Sequence, residues 1–354
     1  MKFSIEKKEI EKVLRITNRI LGKRKSIENN ILLEVKDNVL YVHSHSPDVQ
    51  HIGFSKVLNG KDGEVLINGS TLMHILKNTP DFSVLHFELE NILKIFFEDI
   101  YYKIPILDTT VFTKISESNE KIESFTFSSK KLKEILSKIE FCVDKDDESI
   151  FSGILWDNKG NIANFVASDR NVLGLYTELL EDNFGDFQVI MPRIIYNLLS
   201  DIEDNEIKIG FYKDEKMILK FSNGFLSLRL ISGTYPDYAS LFEEDIPNKL
   251  IINKDEIKHK LKAMSSIDID IFSLKVGDII EIAGSSYSGE EFRANLLGKY
   301  EGDDLEIYLQ YDKLRHIFDA IEENEIYIYI YPELSRILIK SENDSLKYLV
   351  ATRS

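Results

Sequence analysis

Apolar and polar residues along this chain follow two rhythms, and the change from one to the other recurs three times. Lys2-Phe3-Ser4-Ile5-Glu6 alternates with the period of a half-buried strand, and Ile10, Val13 and Leu14 then take up the i, i+3, i+4 spacing of an amphipathic helix. Ser124-Phe125-Thr126-Phe127-Ser128 passes in the same way into Leu132, Ile135 and Leu136, and Lys249-Leu250-Ile251-Ile252-Asn253 into Ile257 and Leu261. Ser128 and Asn253 stand at the junctions, where a short polar side chain can accept a free amide of the first helical turn. A second echo lies deeper in each copy. Val65-Leu66-Ile67-Asn68-Gly69 leads into Leu72, Ile75 and Leu76, and Val189-Ile190-Met191-Pro192 into Ile195, Leu198 and Leu199, with Pro192 expected in the first helical turn. Ile307-Tyr308-Leu309-Gln310 leads into Leu314, Ile317 and Phe318. The copies begin at residues 2, 124 and 249, so the chain repeats itself at roughly 120 residues.

Strands fill the intervals. Ile31–Val35 and Val39–Val42 read as two arms of a hairpin with Lys36-Asp37-Asn38 as its turn, and Ile326–Tyr331 and Arg336–Lys340 are further β runs. Each copy is therefore α+β, with about two helices laid on a mainly antiparallel sheet. Polar stretches at 117–121 and 243–247 read as linkers. They divide the chain into three repeated domains, 1–121, 122–245 and 246–354.

Length, 354 residues, is ample for such domains, and 43% hydrophobic with 29% charged residues matches a soluble globular protein. No apolar run reaches the roughly 18 residues that a membrane span requires, and the charged N-terminus does not read as a signal peptide. The single cysteine, Cys142, excludes an internal disulfide. These features lead us to expect a cytoplasmic protein.

Net charge, −16, at first argues against nucleic acid as a partner, but its distribution reverses that reading. From Glu6 to Lys25 there are eight basic residues against three acidic, and Lys8, Lys12, Arg15 and Arg19 share one helical face. Lys23 and Arg24 follow. The first helix of the second copy carries Lys131 and Lys138, and that of the third Lys258 and Lys262. One such helix would be an ordinary solvated face. Three equivalent basic helices in an acidic chain point to phosphate contact without base readout.

Several short segments carry a resemblance to a known family. They are Met1-Lys2-Phe3, Leu21-Gly22-Lys23-Arg24, Phe151-Ser152-Gly153-Ile154-Leu155, Val166-Ala167-Ser168-Asp169, Val189-Ile190-Met191-Pro192-Arg193 and Gly233-Thr234-Tyr235-Pro236-Asp237-Tyr238. In this order, end to end, the chain resembles the bacterial beta sliding clamp, the processivity subunit of the DNA polymerase III holoenzyme. The resemblance implies a head-to-tail homodimer forming a six-domain ring around double-stranded DNA, with the basic helices lining the hole. By position, Tyr102, Ile104 and Ile267 would lie at the dimer contact. It also implies a cleft for short peptides of the polymerase III catalytic subunit, the clamp loader, other polymerases and repair factors. Its walls would be Phe151, Ser168, Asn171, Val172, Leu173, Pro236, Leu241, Ser335, Leu349 and Ala351. Two segments depart from the family. Ser168-Asp169-Arg170-Asn171-Val172-Leu173 stands where it usually has Thr-Asp-Gly-His-Arg-Leu, and Ala351-Thr352-Arg353-Ser354 replaces its Met-Pro-Met tail. Alanine cannot fill the volume of methionine, so an altered pocket is expected.

No catalytic constellation emerges. Gly22-Lys23-Arg24-Lys25-Ser26 lacks the upstream glycine of a nucleotide-binding loop, and Asp144-Lys145-Asp146-Asp147-Glu148 lacks the glycine of a calcium loop. His43, His45 and His51 cluster without a cysteine or a placed carboxylate, so no metal and no cofactor are expected. The alternatives are a clamp-like scaffold that binds proteins without encircling DNA, and a metal-dependent hydrolase.

Overall fold

All three strand-to-helix transitions form where the apolar rhythm changes. Strand β1 (Lys2–Glu6) runs into α1 (Lys7–Ile20), β10 (Ser124–Ser128) into α3 (Ser129–Ile139) and β18 (Asn248–Asn253) into α5 (Lys254–Met264). The second echo is equally regular: β6 (Gly63–Asn68) precedes α2 (Gly69–Lys77), β14 (Phe187–Pro192) precedes α4 (Ile194–Leu199) and β23 (Leu305–Gln310) precedes α6 (Tyr311–Ala320). The structure is a computed structural model that describes residues 1–21, 29–114, 124–213, 215–242 and 246–353. The proposed linkers at 117–121 and, in large part, 243–247 lie outside these residues.

Local chemistry explains the boundaries. Ser128 Oγ accepts the Lys131 amide at 3.2 Å and Asn253 Oδ1 that of Glu256 at 3.1 Å, as expected of N-caps, and Asn68 does the same for Thr71. The hairpin of β2 (Asn30–Lys36) and β3 (Val39–His45) turns on Asp37 and Asn38 alone, with φ of 53° and 61°. Those angles suit a two-residue type I′ turn, so Lys36 joins the strand. Pro192 corrects an expectation: it ends β14, and α4 begins at Ile194. Strand β14 is an edge strand, where a residue without an N–H costs no ladder bond.

The chain divides into two compact units, Met1–Leu132 with Ile194–Leu230, and Lys133–Arg193 with Ile231–Ser354. The first holds two sheets. One has the order β5 (Leu58–Lys61), β1, β7 (Val84–Leu89), β8 (Leu93–Phe97) and β9 (Ile100–Ile104). The other runs β10, β15 (Glu206–Tyr212), β16 (Lys216–Phe221), β17 (Gly224–Arg229), β4 (Val49–Lys56), β3, β2 and β6. Here β17 pairs with β4, Phe225 opposite Ile52, so strands of the first and second copies share one sheet.

The second unit repeats the arrangement. Its larger sheet runs β14, β11 (Gly153–Lys159), β12 (Ile162–Ser168), β13 (Val172–Leu179), β26 (Leu346–Ala351), β25 (Arg336–Lys340), β24 (Glu325–Ile330), β18 and β22 (Gly298–Glu301). The smaller runs β21 (Glu291–Leu296), β20 (Ile280–Ser285), β19 (Ile271–Val276) and β23. Every pairing between these strands is antiparallel. The middle copy thus gives strands to both units, and the sequence boundaries at 121 and 245 do not coincide with the units.

In the first unit Phe3 stacks on Phe87 at 4.5 Å over a core that includes Ile10, Val13 and Leu14. Beneath α1, Thr17 Oγ1 lies 3.0 Å from Ser44 Oγ and 3.1 Å from Nδ1 of buried His51. His43 sits beside Glu34, and His45 meets the ring of Phe112 edge-on, so the three histidines serve the interior. No group of three metal-ligating residues occurs among the described residues. Burial pushes the His51 imidazole down to about 3, with His43 adding a smaller push. The unfolded chain takes up that proton near pH 6.5, so the stability the neutral ring contributes is present above 6.5 and is lost as pH falls toward 3. Urea midpoints should therefore drop between pH 7 and 4.5, and His51→Gln should flatten the decline. An unchanged slope would place its origin elsewhere.

Candidate functional site

The pairing of β13 with β26 builds an apolar pocket in the second unit. It sets Leu173 opposite Leu349 and Val172 opposite Val350, while β25 places Arg336 opposite Ala351. Leu173, Leu349, Leu155, Val166, Tyr235, Tyr238 and Tyr331 form one buried cluster that makes the floor. The segment 235–241 closes one side, with Pro236 and Leu241 at its surface, and the short turn Ile150–Ser152 brings Phe151 to another. The cavity measures about 340 Å³.

All ten residues assigned to the cleft by resemblance line this one cavity: Phe151, Ser168, Asn171, Val172, Leu173, Pro236, Leu241, Ser335, Leu349 and Ala351. Arg170, Tyr235, Tyr238, Arg336 and Val350 line it as well. Tyr235 and Tyr238 belong to the Gly233–Tyr238 motif, Arg170 stands where the family usually has glycine, and Arg336 carries no sequence signal beyond its strand. Among the described residues no carboxylate lines the cavity, although the chain is strongly acidic. Such a surface suits an apolar ligand with few convergent polar contacts.

Hydrogen bonds hold the walls. Tyr238 Oη donates to Asp157 Oδ2 at 2.6 Å, and Tyr331 Oη to the Leu241 carbonyl at 3.3 Å. Burial raises the Tyr238 phenol above its usual range, and the Asp157 hydrogen bond adds to the shift. The unusual tail is pinned: Thr352 Oγ1 donates to the Leu334 carbonyl at 2.6 Å, Arg353 N to the Tyr308 carbonyl at 2.8 Å and Arg353 Nη2 to Gln310 Oε1 at 2.9 Å. Ala351 N donates to the Asn171 carbonyl at 2.8 Å, so the small residue at this position is fixed in the wall.

The basic helices are less free than their sequence suggests. On α1, Lys12 pairs with Glu9 at 2.8 Å, Arg15 with Glu203 and Arg19 with Asp201. Arg15 and Arg19 both remain 44% exposed. Lys8 lies 5.0 Å from the centre of the Phe82 ring. Lys131 is half-buried on α3. On α5, Lys258 pairs with Asp319 at 2.5 Å, and Lys258 and Lys262 flank a groove between α5 and α6. Lys138 departs from the expected lining role: only 11% exposed, it donates to the Ala320 carbonyl and pairs with Glu322. Lys23 and Arg24 lie outside the described residues.

The three residues assigned to a dimer contact fall in different environments. Tyr102 rests half-buried against the first unit's core, and Ile104, paired with Leu93, turns its side chain into that core. Ile104 is 3% exposed, and its strand β9 lies at the edge of the sheet. Ile100 and Tyr101, which carried no expectation, are the exposed apolar residues of β9. Ile267 is half-buried in the turn after α5.

Comparison with known proteins bears on this arrangement. Residues 1–108 match the N-terminal domain of the DNA polymerase III beta subunit family and residues 126–237 its central domain, together more than half of the chain. The beta sliding clamp of Buchnera aphidicola subsp. Rhopalosiphum padi is 25% identical over 361 residues, 98% of this chain and 97% of the relative. That of Staphylococcus aureus is 23% identical over 97% of this chain and 96% of its own length. The fold agrees with the crystal structure of the DNA polymerase III beta subunit of Pseudomonas aeruginosa, with a TM-score of 0.92 at 19% identity over 100% of both chains. The sliding clamp of Bacillus subtilis also gives 0.92, at 19% identity, covering 100% of this chain and 99% of that one. Fold, repeat and full-length similarity agree: the chain belongs to the DNA polymerase III beta subunit family, the sliding clamps of DNA replication.

Proposed function

We propose that two copies of this chain close head to tail into a ring that encloses duplex DNA and tethers the DNA polymerase III catalytic subunit for processive synthesis, without chemistry of its own. The gathering of the ten residues assigned by resemblance into one apolar cavity is the observation that carries this reading. That cavity takes short peptides of the polymerase, the clamp loader and repair factors, apolar anchors entering while a few backbone and hydroxyl groups orient them. On this reading the three copies act as clamp domains 1–121, 122–245 and 246–354. The dimer forms along the outer strand β9, where Ile100 and Tyr101 lie exposed.

The ion pairs on the basic helices fit a sliding contact. Exposed pairs contribute about 0–1 kcal/mol each, so a phosphate can replace Glu9, Glu203 or Asp201 at little net gain. Contact is then weak and salt-sensitive, and enclosure does the holding. Lys12→Glu combined with Arg15→Glu should weaken binding to a short linear duplex at low salt. It should also flatten the dependence of log affinity on log salt by about 1.8, the slope for two phosphate contacts. Unchanged binding would remove α1 from the DNA path.

Single-particle imaging of lightly cross-linked protein tests the ring itself. A closed ring of six similar lobes is expected. Three-lobed crescents alone would replace the tether by the scaffold, in which the basic helices are solvated faces.

A further inference from the structure

Two backbone positions beside the pocket are left-handed without being glycine: Arg170, with φ of 72°, and Leu334, with φ of 56°. Such conformations cost free energy in an L-residue and persist where the surroundings over-determine them. At Arg170 the surroundings are explicit. Ser168 Oγ accepts its amide at 3.0 Å, and Asp169 Oδ1 accepts the next two amides, Asn171 and Val172, at 3.0 and 2.7 Å. The side chain then leaves the turn between β12 and β13 and reaches the segment 144–151. Nη1 donates to Asp144 Oδ2 at 2.9 Å, Nη2 donates to the Asp147 carboxylate, and the guanidinium carbon lies 4.5 Å from the centre of the Phe151 ring. The Ser149 hydrogen bond first, and Arg170 second, hold the Asp147 carboxyl down to about 2, so the bridge stays charged throughout the neutral range.

Phe151 differs from the walls carried by the sheet. Val172, Leu173, Leu349 and Val350 sit on paired strands, whereas Phe151 rides on a short helical turn outside the sheets. Its ring meets Tyr235 edge-on, 5.7 Å between centres. Tyr235 is 6% exposed, and its buried hydroxyl has no hydrogen-bond partner among the described residues. A wall held outside the sheets therefore covers an unsatisfied polar group. A displaced Phe151 would let that hydroxyl find a partner.

We infer that Arg170 is a specificity-determining latch: it holds Phe151 against Tyr235, and so confines the pocket to aliphatic peptide anchors and excludes bulky aromatic ones. This rests on the reading of the pocket as a peptide site. Arg170 acts through Phe151 as a positioning residue. Its planar fork, which engages two carboxylates while stacking on a ring, is not replaced by the point charge of lysine.

Arg170→Gly tests the latch, since glycine accepts the left-handed backbone and the turn should still form. Two measurements are made on the full chain, with Arg170→Lys alongside. In the first, a displayed library of random pentapeptides is selected in parallel on the parent and the variants. Tryptophan and phenylalanine anchors should be enriched about tenfold on Arg170→Gly relative to leucine, within the range over which a pocket discriminates by size. Lysine should fall between. In the second, amide exchange of residues 144–152 should accelerate about tenfold in Arg170→Gly while the strands of the same unit keep their protection. An unchanged anchor profile overturns the specificity role, and unchanged exchange overturns the latch. If no protein selects any peptide, the peptide reading fails and the specificity role with it, while exchange still decides whether Arg170 restrains Phe151.

Discussion

Leu241→Lys should weaken capture of short apolar peptides by about 100-fold, close to 2.7 kcal/mol, and leave the melting temperature unchanged. Leu241 is 37% exposed at the rim of the pocket, so the free protein accommodates a lysine with its ammonium in water. A bound peptide would have to bury that ammonium against its own apolar anchors, which costs free energy that the free protein does not spend. Tyr331 Oη meets Leu241 at its backbone carbonyl, an interaction that does not depend on the Leu241 side chain. Leu173 and Leu349 are tempting alternatives, but both belong to the buried cluster under the pocket. Lysine at either would disrupt that cluster as well as the site. Fluorescence anisotropy with a labelled peptide, beside a thermal melt, checks the prediction. Retained affinity would mean that the peptide passes elsewhere.

The second large effect is on stability. Trp156→Ala should cost about 3–5 kcal/mol, measured as the shift of urea unfolding followed by far-ultraviolet circular dichroism. Trp156 is fully buried on β11, with Phe165 at 4.9 Å and Phe187 at 5.5 Å between ring centres. Leu155, next to it on the same strand, points the other way into the cluster below the pocket. The cavity left at Trp156 should thus loosen β11 and lower peptide affinity too. A cost near 1 kcal/mol would show instead that Phe165 and Phe187 collapse into the space.

The repeat and the site were legible to different degrees. Strand–helix pairs are local: their signals are a change of apolar period and a capping side chain, and Ser128 and Asn253 cap the helices they precede. Pro192 misled because proline suits both a first helical turn and an edge strand, and which of the two it occupies depends on whether another strand lies beyond it. The cleft residues were assigned through resemblance, and the fold brings them into one cavity. Arg170 is visible in the sequence only as a departure from the family's glycine, because its partners, Asp144, Asp147 and Phe151, lie about twenty residues earlier in a polar segment with no local link to it.

By itself the sequence determined three copies of an α+β unit, an acidic chain with basic helices, and a family. Those properties live in short windows, where period, cap and charge act on near neighbours. Only the tertiary structure decided that β17 joins β4 and β13 joins β26, for backbone hydrogen bonds between distant strands carry no local signature. It also decided which cations are already matched. Lys138 and Arg15 read alike in the sequence, yet Lys138 is drawn inward to Glu322 and Arg15 stays exposed beside Glu203. Charge available to DNA is set by where carboxylates from other segments fold, because an ion pair acts over a few ångströms in space and is indifferent to distance along the chain.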